Sequence, residues 1–284
     1  MLSRVLLASL LLLAAAPARA EALPEACGPK LAGIGAPVPQ PARDLTALCR
    51  DGYALAHDDR LRVPLWVVQR LTPERLAGTA DRKEQRDPFA ADPDLPEEAR
   101  ASLADYRGSG YDRGHMAPAS DMKASPEAMR QSFYLSNMAP QVGQDMNRGI
   151  WARLEDAVRD WACDRGELVV LTGPVFENRP VRTLGGKGRV AIPDAFWKLA
   201  YDPVRREAAA FLLPNAPVPL RGRPARAVLG GHMLTVDDLE ARTGLDLLPA
   251  LEDGLEAAVE APPPALWPKG PGCAKPLPAQ VAEG

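Results

Sequence analysis

The sequence predicts an α+β fold in which an antiparallel sheet core is flanked by helices. Segments rich in β-branched and aromatic residues occur before and after one long amphipathic segment, and a short helical segment follows. Strands that are grouped along the chain, instead of alternating regularly with helices, are typical of α+β proteins. The stretch 49–260 has the length of one ordinary domain.

The first twenty residues are predicted to form a secretory signal peptide. A basic start at Arg4 precedes an apolar run over 5–16, and the small residues of Ala18-Arg19-Ala20 end the segment. The run is shorter than the roughly 20 apolar residues of a transmembrane helix. A cleaved signal predicts an exported protein, periplasmic or extracellular, with no membrane anchor.

The four cysteines are predicted to form two disulfides, as expected in an oxidising compartment. No Cys-x-x-Cys pair indicates a zinc ribbon or a redox motif. The sequence alone permits three pairings. We favour Cys27–Cys49 and Cys163–Cys273, because each pair would hold one proline-rich end of the chain, the N-terminal arm over 21–48 or the C-terminal tail over 261–284.

Turn residues divide the strand-like segments. The predicted elements are a hairpin over 52–71 around Asp58-Asp59-Arg60, a strand over 167–176 stopped by Gly173-Pro174, two strands over 196–214 around Asp202-Pro203, and a short helix between Thr235 and Gly244. Thr235 is a suitable N-cap for that helix, and Gly244 is a suitable C-terminal residue.

Within the segment 138–164, the residue pattern predicts an amphipathic helix. Trp151, Leu154, Val158 and Trp161 recur at helical spacing and form one apolar stripe. Polar residues four apart advance only about 40° around a helix axis, so they follow one edge of such a stripe.

Three polar residues lie on that edge, namely Asn147, Glu155 and Arg159. Each has a structural explanation, because Asn147 can cap a helix and the other two can form an i,i+4 surface pair. His115, in the turn-rich stretch "YRGSGYDRGHMAP", is by itself more typical of a structural histidine. Together, these residues predict a catalytic site.

The charge excludes one class of protein. The formal net charge is −3, whereas a protein that coats nucleic acid is usually basic. An enzyme that binds a polyanion through a local basic patch is compatible with this charge.

The motifs that surround these residues resemble a known family. "DRGHMAPASD", followed by "YLSNMAPQVGQDMNRGIWARLED", is similar to the DNA/RNA non-specific endonucleases of the ββα-metal fold. This family includes secreted bacterial nucleases and mitochondrial endonuclease G. The similarity continues through "WVVQRL", "LTGPVF", "AIPDAFWK" and "LLPNAP", and covers about 65–248.

The resemblance implies a role for each matching residue. His115 would be the general base, Asn147 the direct ligand of a hydrated Mg²⁺ (with Mn²⁺ as a substitute), and Glu155 a ligand through water. Arg113 is the catalytic arginine of the tetrapeptide, and Asp112 a structural partner. The residues expected at the substrate or in support of the site are Arg82, Arg159 and Asn137. Histidine accepts protons near neutral pH, and Mg²⁺ often keeps several waters.

The predicted function is an exported Mg²⁺-dependent endonuclease that cuts DNA and RNA to 5′-phosphate and 3′-hydroxyl ends. Two alternatives stay open: a catalytically silent nucleic-acid-binding relative, and a phosphodiesterase for small or lipid substrates. The sequence also leaves open a homodimer and an inhibitor protein as partners.

Overall fold

The computed structural model describes residues 25–43, 45–85, 88–184 and 189–273. The predicted signal peptide lies outside these residues. The α-helices are α1 (Gly28–Leu31), α2 (Pro73–Leu76), α3 (Leu103–Tyr106), α4 (Pro126–Gln131), α5 (Ala152–Arg165), α6 (Ala225–Gly230), α7 (Val236–Thr243) and α8 (Asp253–Glu260). The strands are β1 (Val38–Pro39), β2 (Leu45–Cys49), β3 (Tyr53–Asp58), β4 (Val63–Leu71), β5 (Tyr111–His115), β6 (Met138–Val142), β7 (Leu168–Val175), β8 (Thr183–Leu184), β9 (Val190–Ala191), β10 (Ala195–Asp202), β11 (Glu207–Pro214), β12 (Met233–Leu234) and β13 (Leu245–Asp246).

A seven-stranded sheet in the order β12-β11-β10-β7-β4-β3-β2 forms the centre of the molecule. All of its neighbouring strands are antiparallel. This arrangement confirms the predicted α+β class, and the hairpins β3–β4 and β10–β11 turn where the sequence predicts.

The strand β7 continues past the predicted stop at Gly173-Pro174. β4 pairs with β7 only as far as Thr172, so Pro174 faces a strand partner on one side alone, where its missing N–H is tolerated. A Cβ atom on Gly173 would lie 2.5 Å from the Leu65 carbonyl oxygen and 2.8 Å from the Trp197 ring. The glycine therefore permits close packing and does not end the strand.

The sheet has two buried faces. On the first, the α5 face, Val67, Val170 and Phe196 pack beneath helix α5. On the second, the α7 face, Trp66, Leu171, Trp197 and other apolar side chains pack beneath α7 and α8. The predicted stripe of Trp151, Leu154, Val158 and Trp161 is buried on the α5 face.

Helix α5 is shorter than the sequence predicts. Its regular part begins at Ala152, and a wide helical turn, Gly143–Trp151, precedes it with non-helical backbone at Gln144, Asp145 and Gly149. Asn147 therefore lies before α5 and not on one straight helix with Glu155. Sequence periodicity does not detect this change of backbone direction.

Both predicted disulfides, Cys27–Cys49 and Cys163–Cys273, are present. The predicted arm also packs more closely than its proline content suggests, because Ile34 is fully buried on the α7 face and β1 pairs with β13. Near the other end, the Trp267 ring lies 5.3 Å from the Trp161 ring. In the described part of the chain, no helix combines the length and apolar character that crossing a membrane requires.

Candidate active site

The two-stranded sheet β5–β6 positions His115. His115 is the last residue of β5 and pairs with Met138, while Gly114 pairs with Ala139. A Cβ atom on Gly114 would lie only 2.1 Å from the Gln141 side-chain oxygen. Gly114 thus makes room for a buried glutamine beside the histidine and lies in a regular strand pair.

The His115 ring is held in an aromatic environment. It lies 5.2 Å from the Phe133 ring and 5.8 Å from the Phe89 ring. Its Nε2 is buried and bonds to no described residue. Burial, followed by the positive charges of Arg82 and Arg113, lowers the pKa of His115 to about 3. His115 is therefore neutral near pH 7, the form that a general base requires, and the same lowered pKa weakens it as a proton acceptor.

The amide of Asn147 is oriented by Asp112. Asn147 Nδ2 donates a hydrogen bond of 2.9 Å to Asp112 Oδ2, and Arg148 Nε lies 3.2 Å from the same oxygen. This hydrogen bond uses the amide nitrogen, so the side-chain carbonyl oxygen of Asn147 is free to bind a cation. Asp112 is thus a structural partner, as the resemblance implies.

Glu155 occupies the first turn of α5, and no described residue donates a hydrogen bond to its carboxylate. Burial raises the pKa of Glu155 to about 7, although Lys198 and Arg159 partly oppose that shift. The carboxylate therefore needs a positive partner, either a metal ion that it binds or a basic side chain, because burying an unpaired charge is costly.

Lys198 supplies such a partner, and our sequence reasoning gave it no role. It lies on β10, is only 1% exposed, and its Nζ donates a 2.6 Å hydrogen bond to Thr172 Oγ1 on the adjacent strand. Nζ is also 4.9 Å from the Trp151 ring centroid. Burial lowers the pKa of Lys198 to about 8, against the opposing effect of Glu155. Strand alternation in "AFWKLAY" places this lysine on the same sheet face as Phe196. This alternation is the sequence signal that could have indicated a buried lysine near the site.

The guanidinium of Arg159 is held by two carboxylates. It contacts Asp121 Oδ1 at 2.7 Å and Asp156 Oδ1 at 2.6 Å. Asp121 in turn accepts a hydrogen bond of 2.8 Å from Gln69. Two carboxylates already neutralise Arg159, so its role here is to support the residues around Glu155.

The Asn137 side chain supports the backbone next to His115. Asn137 is fully buried; its Oδ1 accepts from the Ala117 amide at 2.9 Å, and its Nδ2 donates to the Ala117 and Ser132 carbonyls, each at 2.8 Å. All of these bonds go to the backbone. Asn137 therefore fixes the loop that follows His115 and makes no contact with substrate.

An open groove passes over these residues. It consists of two adjoining clefts of about 610 Å³ and 570 Å³, which share Arg82, His115 and Asn147. Glu155 lines the second cleft. The basic residues that line the two clefts are Arg82, Lys83, Arg107, Arg113, Lys123 and Arg148. The guanidinium of Arg113 lies 4.1 Å from the Phe89 ring centroid, which holds it beside the groove.

The donor atoms suit a hard divalent cation. Asn147 offers an amide oxygen, Glu155 offers a carboxylate, and both line the second cleft. Oxygen ligands of this kind, with water completing the shell, are those that Mg²⁺ prefers.

A family model described as DNA/RNA non-specific endonuclease matches residues 35–254. The chain belongs to this family. It is a non-specific DNA/RNA endonuclease, a metal-dependent hydrolase of phosphodiester bonds. The match begins inside the predicted N-terminal arm, in agreement with the packing of that arm on the sheet.

Characterised members of the endonuclease family are similar over most of the chain. The Mitochondrial nuclease of Saccharomyces cerevisiae is 37% identical over 229 residues, which are 74% of this chain and 67% of that protein. Endonuclease G, mitochondrial, of Homo sapiens is 36% identical over 211 residues, 70% of this chain and 68% of that protein. Nuclease C1 of Cunninghamella echinulata is 37% identical over 226 residues, 75% and 86% of the two chains.

The fold agrees with a solved structure of the same endonuclease family. The crystal structure of the EndoG/EndoGI complex superposes with a TM-score of 0.70 and 29% identity, covering 81% of this chain and 94% of that one. The predicted ββα-metal nuclease fold is thereby confirmed.

The predicted periplasmic or extracellular location is wrong. Two of the relatives described above carry mitochondrial in their names, and so do further relatives from Schizosaccharomyces pombe and Danio rerio. The prediction depended on a short basic and apolar leader without acidic residues. Absence of acidic residues and presence of arginine are also features of mitochondrial transit peptides, so composition alone does not separate the two destinations.

Proposed function

We propose that this endonuclease hydrolyses DNA and RNA with Mg²⁺ and leaves 5′-phosphate and 3′-hydroxyl ends. The observation that supports the proposal is the convergence of a neutral His115, the amide of Asn147 and the carboxylate of Glu155 on one open groove. Arginines and lysines line the same groove, where they match the charge of a phosphodiester backbone.

In this proposal Asn147 holds the ion directly, and Glu155 holds it through water. Mg²⁺ at that position supplies electrostatic stabilisation of the negative charge that develops on the phosphate. Asp112 accepts a hydrogen bond from the Asn147 amide nitrogen, so the Asn147 carbonyl oxygen would be the atom that holds the ion. Lys198 keeps a positive charge near the Glu155 carboxylate and favours its ionised form.

His115 takes the proton from the attacking water. Burial and two nearby arginines disfavour its protonated form, so the imidazole is available as a base at neutral pH. Arg113 and Arg82 line the groove together with this base and stabilise negative charge on the phosphate.

An open groove favours a polymeric substrate over a small one. The two clefts adjoin at the shared residues and are open to solvent, so a strand can bind without threading through a closed pocket. Phosphate contacts carry no base information, which agrees with cleavage of both DNA and RNA.

The test is digestion of supercoiled plasmid and of RNA, each with Mg²⁺ and with EDTA. We expect both polymers to be cut with Mg²⁺ and neither with EDTA. DNA products should be joined by a ligase without prior kinase treatment, because ligation needs 5′-phosphate and 3′-hydroxyl ends. Cleavage in EDTA, or ends that require kinase before ligation, would contradict the proposed chemistry.

A further inference from the structure

A second group of acidic residues lies on the α7 face, across the sheet from His115. Oxygen atoms of Asp237, Glu240 and Glu260 lie within 4.8 Å of one another. Asp237 and Glu240 project from α7, and Glu260 is the last residue of α8. The apolar residues of these helices pack beneath the α7 face. This α7–α8 cluster is therefore separate from the groove.

Glu260 is the unusual member of the cluster. It is only 7% exposed, its Oε1 is buried, and no described residue donates a hydrogen bond to either carboxylate oxygen. Asp246, on the adjoining β13, also has a buried Oδ1 without a hydrogen-bond partner. Buried carboxylate oxygens ordinarily have donors, because leaving them unpaired costs free energy.

No positive side chain compensates the cluster within the described part of the molecule. None of Asp237, Glu240, Asp246, Glu256 and Glu260 forms an ion pair with a described residue. Glu240 accepts a 2.6 Å hydrogen bond from the Leu247 amide, which orients its carboxylate but supplies no charge. Burial and mutual repulsion raise the pKa of Glu260 to about 8 and that of Glu240 to about 7.

We infer that the α7–α8 cluster is a Ca²⁺ site in which Asp237, Glu240 and Glu260 are ligands. Three carboxylates from two helices match the oxygen-only and geometrically flexible ligand set that Ca²⁺ accepts. Mg²⁺ demands nearly ideal octahedral geometry at shorter distances, whereas the oxygen atoms of this cluster are spread over up to 4.8 Å. The ion would compensate the unpaired carboxylates and join α8 to α7.

The test measures Ca²⁺ binding to the full chain in an Asn147→Ala background, which removes the direct ligand proposed for the groove. Calorimetry with CaCl₂ alone should show one bound ion with a Kd on the order of 10⁻⁵ to 10⁻³ M, within the range of calcium sensors and extracellular modules. The midpoint of thermal unfolding should rise with CaCl₂. Absence of both effects would overturn the site.

Three substitutions test whether the ion binds at the α7–α8 cluster. Glu260→Gln and the exposed Asp237→Asn should each weaken Ca²⁺ binding by about tenfold or more, because ligand charge sets the affinity. Glu252→Gln, which removes an exposed acid outside the cluster, is the matched control and should bind like its parent. Equal binding by all three variants would place the ion elsewhere and contradict the inference.

A folding control accompanies these variants. In EDTA, Glu260→Gln should unfold at the same temperature as its parent or higher, because the substitution removes one of several repelling charges. If that variant does not fold, Asp237→Asn decides the outcome. With His115 and Asn147 intact, Glu260→Gln should keep the nuclease rate of the wild type, so failure of this site is distinct from failure of the proposed activity.

Discussion

At the scale of single residues, burial sets the protonation states of the groups in the groove. The same low polarity that keeps His115 neutral would also keep Glu155 neutral if Lys198 were absent. A base and an anionic ligand thus share one site because each has a different set of charged neighbours.

His115→Ala should remove the base while leaving the groove intact. We expect a loss of about 10²–10⁴-fold in kcat, with nucleic-acid binding largely retained, because removal of a general base typically has that effect. Added imidazole should restore part of the rate. His232→Ala, a change of a histidine outside the groove, is the control and should cut plasmid at the wild-type rate.

The pH profile follows from the direction of the His115 pKa. A lowered pKa leaves the unprotonated form present above about pH 3, so His115 does not produce a loss of kcat/KM near the ordinary histidine pKa of about 6.5. Plasmid nicking from pH 5 to 9 measures this. A loss of activity centred near pH 6.5 that stays at the same pH in the Lys198→Met variant would not come from Glu155. Such a loss would contradict a buried, neutral His115.

Lys198→Met should raise the pKa of Glu155, because it removes the positive charge that favours the carboxylate. We expect the acid limb of kcat/KM to move to higher pH by about one pH unit or more. Lys269→Met, an exposed lysine outside the groove, is the control. A folded Lys198→Met enzyme with an unchanged pH profile would show that Lys198 is only a packing residue.

At the scale of elements, local sequence signals such as helix caps predict the structure well. They do not predict contacts between segments that are distant along the chain. The Thr235 hydroxyl accepts from the Asp238 amide, and Gly244 adopts φ of +67°, so the ends of α7 are where the sequence places them. By contrast, the turn before α5 includes Gly149, whose backbone is not helical. The spacing of apolar residues in the sequence does not reveal this. The electrostatic effect of Lys198 on Glu155 acts between two elements and has no local signature.

The disulfide between α5 and the C-terminal segment should contribute to stability and not to catalysis. Cys163 lies at the end of α5 that is remote from Glu155, and Trp267 stacks on Arg165 at 3.9 Å. Cys273→Ser should lower the free energy of unfolding by about 2–4 kcal/mol, because the bond closes a long loop. Urea unfolding under oxidising conditions measures the change; Cys163→Ser, which removes the same bond, should match the variant, and a variant as stable as wild type would contradict this role.

At the scale of the whole molecule, the net charge of −3 conceals a basic groove. The substitution Arg107→Gln, on the groove wall, should reduce by about one the slope of log kcat/KM against log salt concentration, because one phosphate contact is lost. Arg206→Gln, at the exposed β10–β11 turn, is the control and should keep the wild-type slope. Equal slopes for both variants would exclude Arg107 from the phosphate path.

The position of the sheet between two differently charged surfaces gives the molecule an electrical polarity. A negatively charged strand that approaches is attracted by the arginines on one side and, when the α7–α8 cluster is ionised and holds no cation, repelled on the other. The resulting torque turns the enzyme before contact and enriches encounters that begin at the groove. For the same reason, adsorption on a cationic surface should attach the protein by its acidic side, with the groove open to solution.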